Sequence, residues 1–134
     1  MSFTGKDAEH RGIKPFRKLN PGMKYPETYL DSEGYPTEEL LGWIKQYDVL
    51  KEGLEPLLEV IEESWWMPDW GIVRKRQYDG YFSYELHTGG WSGNEDIISA
   101  LRTNMFFFIW WRKSYAGGHY YFKFPVKSFF NKTN

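Results

Sequence analysis

The sequence predicts an α+β fold: a single domain with one mainly antiparallel sheet packed with helices, its elements in the order α-α-β-β-α-β-β. Three observations carry that expectation. Apolar residues recur at helical spacing over two stretches between residues 38 and 66. Two hairpin signals follow, Asp79-Gly80 and Gly117-Gly118, each set between strand-like runs. Between them a glycine-rich turn, Thr88-Gly89-Gly90-Trp91-Ser92-Gly93, opens straight into a third helical pattern. At 134 residues the chain has the length of one domain with a real core, and aromatic residues, 20% of the sequence, supply much of that core's mass.

Residues 1–36 have neither period. Pro15, Pro21, Pro26 and Pro36 alternate with Gly5, Gly12, Gly22 and Gly34, so this stretch reads as an irregular arm, 37–126 as the α+β core and 127–134 as a loose tail. Thr37 is placed to cap a helix over 38–48, with Glu38 and Glu39 in its first turn and Leu40, Leu41, Ile44 and Tyr47 on one face. A second helix is expected over 53–66. Its stripe is Leu54, Leu57, Leu58, Ile61 and Trp65, Pro56 is tolerable within its first turn, and Met67-Pro68 ends it. Asp79-Gly80 predicts a two-residue type I′ turn that pairs Tyr78 with Tyr81, Arg76 with Ser83 and Arg74 with Glu85, with Phe82, Tyr84 and Leu86 facing the core. Arg74-Lys75-Arg76 suits an edge strand.

The third helix is expected to start from a capping box, Ser92 as N-cap and Glu95 three residues on, and to stop at Asn104. Met105–Trp111 shows no alternation and reads as a central strand covered on both faces. Ser114–Gly118 forms a hairpin loop, and His119–Phe124 returns with Tyr120, Phe122 and Phe124 on one face and His119, Tyr121 and Lys123 on the other.

Charge is unevenly spread. Residues 1–25 carry a net +4, residues 26–63 a net −9 and residues 64–134 a net +4. The blocks can neutralise one another across the fold. Left exposed, Glu38, Glu39, Glu55, Glu59, Glu62 and Glu63 would form an acidic helical face suited to docking a basic host protein. The absence of Cys rules out disulfides, thiolate metal sites and Cys nucleophiles. It fits a reducing compartment, and the first residues lack the apolar run of a signal peptide, so the expected location is cytoplasmic. The longest apolar run is far too short to span a bilayer.

The glycine turn is where a ligand site is expected, because a helix start concentrates free backbone N–H groups. It lacks the Lys of a phosphate-binding P-loop and the spacing of a dinucleotide fingerprint, and Glu95 and Asp96 would repel a phosphate there. The preferred reading is a non-enzymatic module without cofactor. Its pocket would lie between His87, Thr88, Gly89, Gly90, Trp91, Ser92 and Asn94 and the strand ends carrying Arg112, His119 and Tyr121. Trp91 and Tyr121 would stack a nucleotide-like ligand, and Arg112 would supply charge. The alternative is a protein–protein inhibitor or adaptor using the acidic face. A third reading, an enzyme built on His87, His119 and Glu95, requires those side chains to converge, and no metal-binding spacing such as HExxH supports it. A basic aromatic sheet surface for nucleic acid or a nucleotide, made of Arg74, Lys75, Arg76, Arg112, Lys113 and Lys123 near Tyr78, Tyr81, Trp110 and Tyr121, is less favoured because no RNA-binding sheet motif is present and the acidic helices would have to face away. A homodimer interface would use the aromatic surplus as well as a pocket would.

Glu33-Gly34-Tyr35-Pro36-Thr37-Glu38-Glu39, Thr88-Gly89-Gly90-Trp91-Ser92-Gly93-Asn94-Glu95 and Gly117-Gly118-His119-Tyr120 together resemble small uncharacterised proteins of bacteriophages, prophages and mobile elements. The resemblance spans roughly residues 33–124 and brings no activity or catalytic residues with it. It implies a phage or mobile-element accessory protein, a setting in which binding proteins, including counter-defence inhibitors, are common.

Overall fold

The computed structural model describes residues 22–129. The chain folds as α1 (Glu38–Gln46), α2 (Val49–Glu52), α3 (Glu55–Ser64), α4 (Pro68–Gly71), β1 (Ile72–Arg76), β2 (Tyr81–His87), α5 (Ser92–Arg102), α6 (Met105–Trp110), β3 (Trp111–Tyr115), β4 (His119–Pro125) and a closing 3₁₀ turn, Val126–Phe129. The four strands form one antiparallel sheet in the order β1-β2-β4-β3, so the fold is α+β with the expected succession of helices and hairpins. Most of the irregular arm and the end of the tail lie outside the described residues.

One apolar cluster holds the helices to the sheet. Leu40 and Ile44 of α1, Leu57, Leu58 and Ile61 of α3, and Ile97, Ile98 and Leu101 of α5 meet Tyr84 and Leu86 of β2 and Phe122 and Phe124 of β4. These are the positions that helical and strand periods select, and β1, with Arg74-Lys75-Arg76, is an edge strand as its charge implies. The residues between the inward ones, Glu85 and His87 on β2 and His119 and Tyr121 on β4, fall on the other face of the sheet. At its end, Trp70 of α4 reaches this face beside His87.

Four local expectations are corrected. Met105–Trp111 is not a central strand: α6 takes Met105–Trp110, and Trp111 begins β3 at an edge. Asn104 starts this helix by accepting the Phe106 N–H (2.8 Å), and its amide donates to the carbonyls of Ile44 and Tyr47 at the end of α1. Phe106 and Phe107 are then buried while Phe108 is 83% exposed, a helical distribution that so short an apolar run conceals. The helix expected over 53–66 is α3, Glu55–Ser64, and a short helix the sequence did not suggest, α2, precedes it across Gly53, whose φ is 89°.

The first hairpin has a three-residue loop. Gln77 donates to the Tyr81 carbonyl, Asp79 accepts the Tyr81 N–H, and Gly80 takes a φ of 87°. The register moves by one, so Glu85 faces Val73 and Arg74 faces Tyr84. The slip sends Arg74 to the helix side of the sheet, where its guanidinium meets Glu62 at 3.2 Å and Glu55 at 3.6 Å. Burial pushes the Glu55 carboxyl above its ordinary range, partly offset by the Arg74 charge.

The fourth correction concerns the start of α5. Trp91, not Ser92, holds the N-cap position and makes no side-chain cap bond, and Ser92 is the first helical residue. Glu95 cannot complete a capping box because its carboxylate accepts the Thr88 hydroxyl at 3.0 Å.

Two buried phenols give the fold an alkaline limit. Tyr47 donates to the Gly53 carbonyl and Tyr84 to Glu62, and burial raises both above the ordinary tyrosine value of 10, with the Glu62 charge adding to it at Tyr84. Above about pH 10 an unfolded chain loses these protons while the native one keeps them. Stability is therefore present below that pH and falls above it, by about 1.4 kcal/mol per pH unit for each tyrosine. Urea unfolding from neutral to alkaline pH should show this decline, and Tyr84→Phe should remove its own share of the slope while costing about 1 kcal/mol at neutral pH. Equal slopes in the two proteins would refute the assignment to Tyr84.

Candidate functional site

The glycine turn is built from inward-facing polar groups. Thr88 is fully buried. Its N–H donates to the Gly118 carbonyl (2.9 Å), its carbonyl accepts from Trp91 (3.1 Å), and its hydroxyl donates to Glu95 while accepting the Gly90 N–H. Asn94 is only 1% exposed. Its carbonyl oxygen accepts the Trp66 N–H at 2.8 Å, and its amide donates to the carbonyls of Trp66 and Thr88, each at 3.2 Å. Thr88 and Asn94 are therefore framework, not ligand contacts: their polar atoms already bond to the protein around them.

Asn94 fastens the Trp66–Trp70 corner to the turn. Trp65 reinforces it by donating from its indole to the His87 carbonyl at 3.2 Å. Within the corner Met67 holds a left-handed conformation, φ 60°, rare for a side chain of its size. Trp70 lies across Gly89, where a β-carbon would sit 3.1 Å from its ring. Trp91 is half-buried, stacked with Tyr35 at 4.9 Å and with Trp66 at 5.2 Å. Trp91 thus serves the packing of this corner rather than standing free to stack a ligand. Gly89, Gly90 and Ser92 lie exposed at the rim.

His87, His119 and Tyr121 do converge. β2 and β4 pair His87 with His119 and Glu85 with Tyr121 on the open sheet face. The two histidines approach Nδ1 to Nδ1 at 2.8 Å, and His87 Nε2 meets Glu85 Oε1 at 3.0 Å. A carboxylate only accepts, so His87 Nε2 carries a proton. With neutral rings, His87 Nδ1 is then the bare acceptor and His119 donates from Nδ1. Glu95 takes no part, being tied to Thr88, so the expected His87–His119–Glu95 set is replaced by one with Glu85. No group of three or more metal-ligating side chains gathers among the described residues.

Ring contacts continue from the pair along the sheet. Trp70 lies 6.2 Å from His87, His87 5.8 Å from Tyr121, and Tyr121 5.6 Å from Tyr115. Lys113 Nζ sits 5.4 Å from the Tyr115 ring and 5.3 Å from that of Tyr121. Arg112 is not part of this row: it lies at the β3 bulge, and its guanidinium turns to the Trp111 carbonyl. Tyr115, Glu85 and Trp70 escape sequence reasoning, whereas Lys113 belongs to the basic aromatic sheet surface that the sequence offers as a less favoured reading. Centring the second hairpin on Gly117 would have set Tyr115 beside His119 and Lys113 beside Tyr121, the register found.

The acidic helices are largely spoken for. Glu39 accepts the N–H groups of Glu27 and Thr28, which hold its carboxyl below its usual value. Glu55 and Glu62 face Arg74, and Glu59 is buried at 3% exposure, not displayed on an outer face. Glu38 and Glu39 also border a groove of about 450 Å³ where Lys24, Tyr25 and Pro26 lie against Trp43. No helix among the described residues is long and apolar enough to cross a membrane. No protein-family model, curated protein or solved structure matches the chain.

Gly118 is the tightest point of the site. Its φ is 87°, and a β-carbon there would collide with the Thr88 hydroxyl. Gly90 has a φ of 78° but open space around it. Gly90→Ala should cost about 1–2 kcal/mol, the left-handed penalty alone. Gly118→Ala should cost clearly more and disturb tryptophan fluorescence, because Thr88 must move. Equal losses in urea unfolding would show that the Thr88 contact gives way freely.

Proposed function

We propose that this protein is a small non-enzymatic binding module that takes a planar, anionic, nucleotide-like ligand on the open sheet face beside the glycine turn. The observation that carries this reading is the row of rings from Trp70 through His87 and Tyr121 to Tyr115, with the Lys113 ammonium between the last two. A flat ring stacks on such a row, at about 1–3 kcal/mol per base. Lys113 supplies a charge for phosphate, whereas Lys123, farther along β4, is already paired with Asp79 at 3.1 Å. Compared with the sequence expectation, the ligand moves from the turn itself to the adjoining face, because Thr88 and Asn94 use their polar groups internally. Gly89 and Gly90 form the rim.

The docking reading has less support. Glu55 and Glu62 share the Arg74 guanidinium and Glu59 is buried, which leaves fewer carboxylates for a basic partner to read. A histidine-based enzyme also has less support, since His119 and Glu85 already engage both ring nitrogens of His87. An accessory role in the cytoplasm, of the kind phage and mobile-element proteins play, is part of the same proposal.

Titration of mono-, di- and cyclic nucleotides, followed by calorimetry and tryptophan quenching, tests the proposal. At least one class should bind saturably at one site. Tyr121→Ala should weaken it about 10-fold, and Lys113→Ala should weaken it in a salt-dependent way. Absence of saturable binding to every class, or binding indifferent to both substitutions, would overturn it.

A further inference from the structure

We infer that His87 and His119 form a two-histidine site for a divalent transition ion of the Zn²⁺ or Cu²⁺ type, with Glu85 as its supporting carboxylate. The argument rests on cross-strand geometry. Directly paired residues of an antiparallel ladder share a face, and here both imidazoles turn the same nitrogen toward one point, Nδ1 to Nδ1 at 2.8 Å. An ion with bonds of about 2.0–2.1 Å to each nitrogen needs them about 3.0–3.4 Å apart with both lone pairs turned off the line between them, so the rings have to part by about half an ångström and tilt to meet it.

The supporting contact is already in place. Metal-bound histidines commonly donate their other ring N–H to a carboxylate, which fixes the tautomer and strengthens the donor nitrogen. Glu85 Oε1 lies 3.0 Å from His87 Nε2 and does this for His87. The His87 tautomer therefore needs no change, since its Nδ1 lone pair already points to the site. His119 moves its proton from Nδ1 to Nε2, and the ion takes the place of the shared hydrogen. The process neither consumes nor releases a proton overall. With no third described ligand in reach, the ion keeps water-filled positions, and imidazole donors favour Cu²⁺ and Zn²⁺ over Mg²⁺ or Ca²⁺.

The site shares His87 with the ring row but does not rest on the nucleotide reading, and it is tested without a nucleotide. Titrating the full chain with ZnCl₂, with MgCl₂ and CaCl₂ as controls, should give one saturable site for Zn²⁺ alone. His119→Gln and His87→Gln should abolish it, Glu85→Gln should weaken it about 10-fold, and His10→Ala, which removes the third histidine, should leave it intact. Circular dichroism reports whether each variant folds. Imidazole ¹⁵N spectra of the unaltered protein provide a readout that needs no variant: zinc should move the His119 proton from Nδ1 to Nε2. Failure to saturate at millimolar Zn²⁺, affinity unchanged in the folded histidine variants, or a His119 proton that stays on Nδ1 would overturn the inference.

Discussion

Asn94 presents its amide to the Trp66 backbone much as a neighbouring strand would, accepting the N–H and donating to the carbonyl, and its second amide proton reaches Thr88. One buried side chain at the start of α5 joins the distant Trp66 corner to the glycine turn. Inside the protein such bonds have no solvent to compete with, and losing one partner strands the others unsatisfied. The position of the Trp66–Trp70 corner follows from this clamp. So does the contact of Trp70 with Gly89, which brings the indole alongside His87. Asn104 does the same at the other end of α5, tying the close of α1 to the start of α6. Two asparagines thus set the frame on which the helices meet the sheet.

The charge segregation of the chain is resolved in part by the register of the first hairpin. The one-residue slip turns Arg74 inward, where it faces Glu55 and Glu62, and Tyr84 adds a hydrogen bond to the same carboxylate. Ion pairs of this kind, half-shielded from solvent, relieve the cost of burying acids more than they add stability of their own. The acidity that reads from the sequence as a docking face is spent largely on internal order.

The open sheet face is the counterpart of the apolar one. Strand alternation that sends Tyr84, Leu86, Phe122 and Phe124 inward necessarily sends Glu85, His87, His119 and Tyr121 outward. The same core that holds the fold therefore positions the ring row and the histidine pair. The histidine pair and Tyr121 sit on the central strands β2 and β4, whose ladders constrain them more closely than a loop would, while Tyr115 lies on the edge strand β3 and Trp70 on α4.

Periodicity in the sequence determined the α+β class, the succession of helices and hairpins, the edge position of β1 and the inward faces of the helices and central strands, because burial of one face dictates where apolar residues recur. It also marked the glycine turn and the two histidines at strand ends. Local pattern could not separate a six-residue apolar helix from a strand at Met105–Trp110, nor a three-residue loop from a two-residue one at Asp79-Gly80. In each case the choice depends on partners far along the chain: Ile44 and Tyr47 for Asn104, Glu55 and Glu62 for Arg74. Tertiary structure alone decided that Thr88 and Asn94 face inward, that Glu85 rather than Glu95 joins the histidines, and that Tyr115 and Lys113 extend the ring row. Register between strands fixes those neighbours, and register is set by the packing of the whole domain rather than by the residues beside them in sequence.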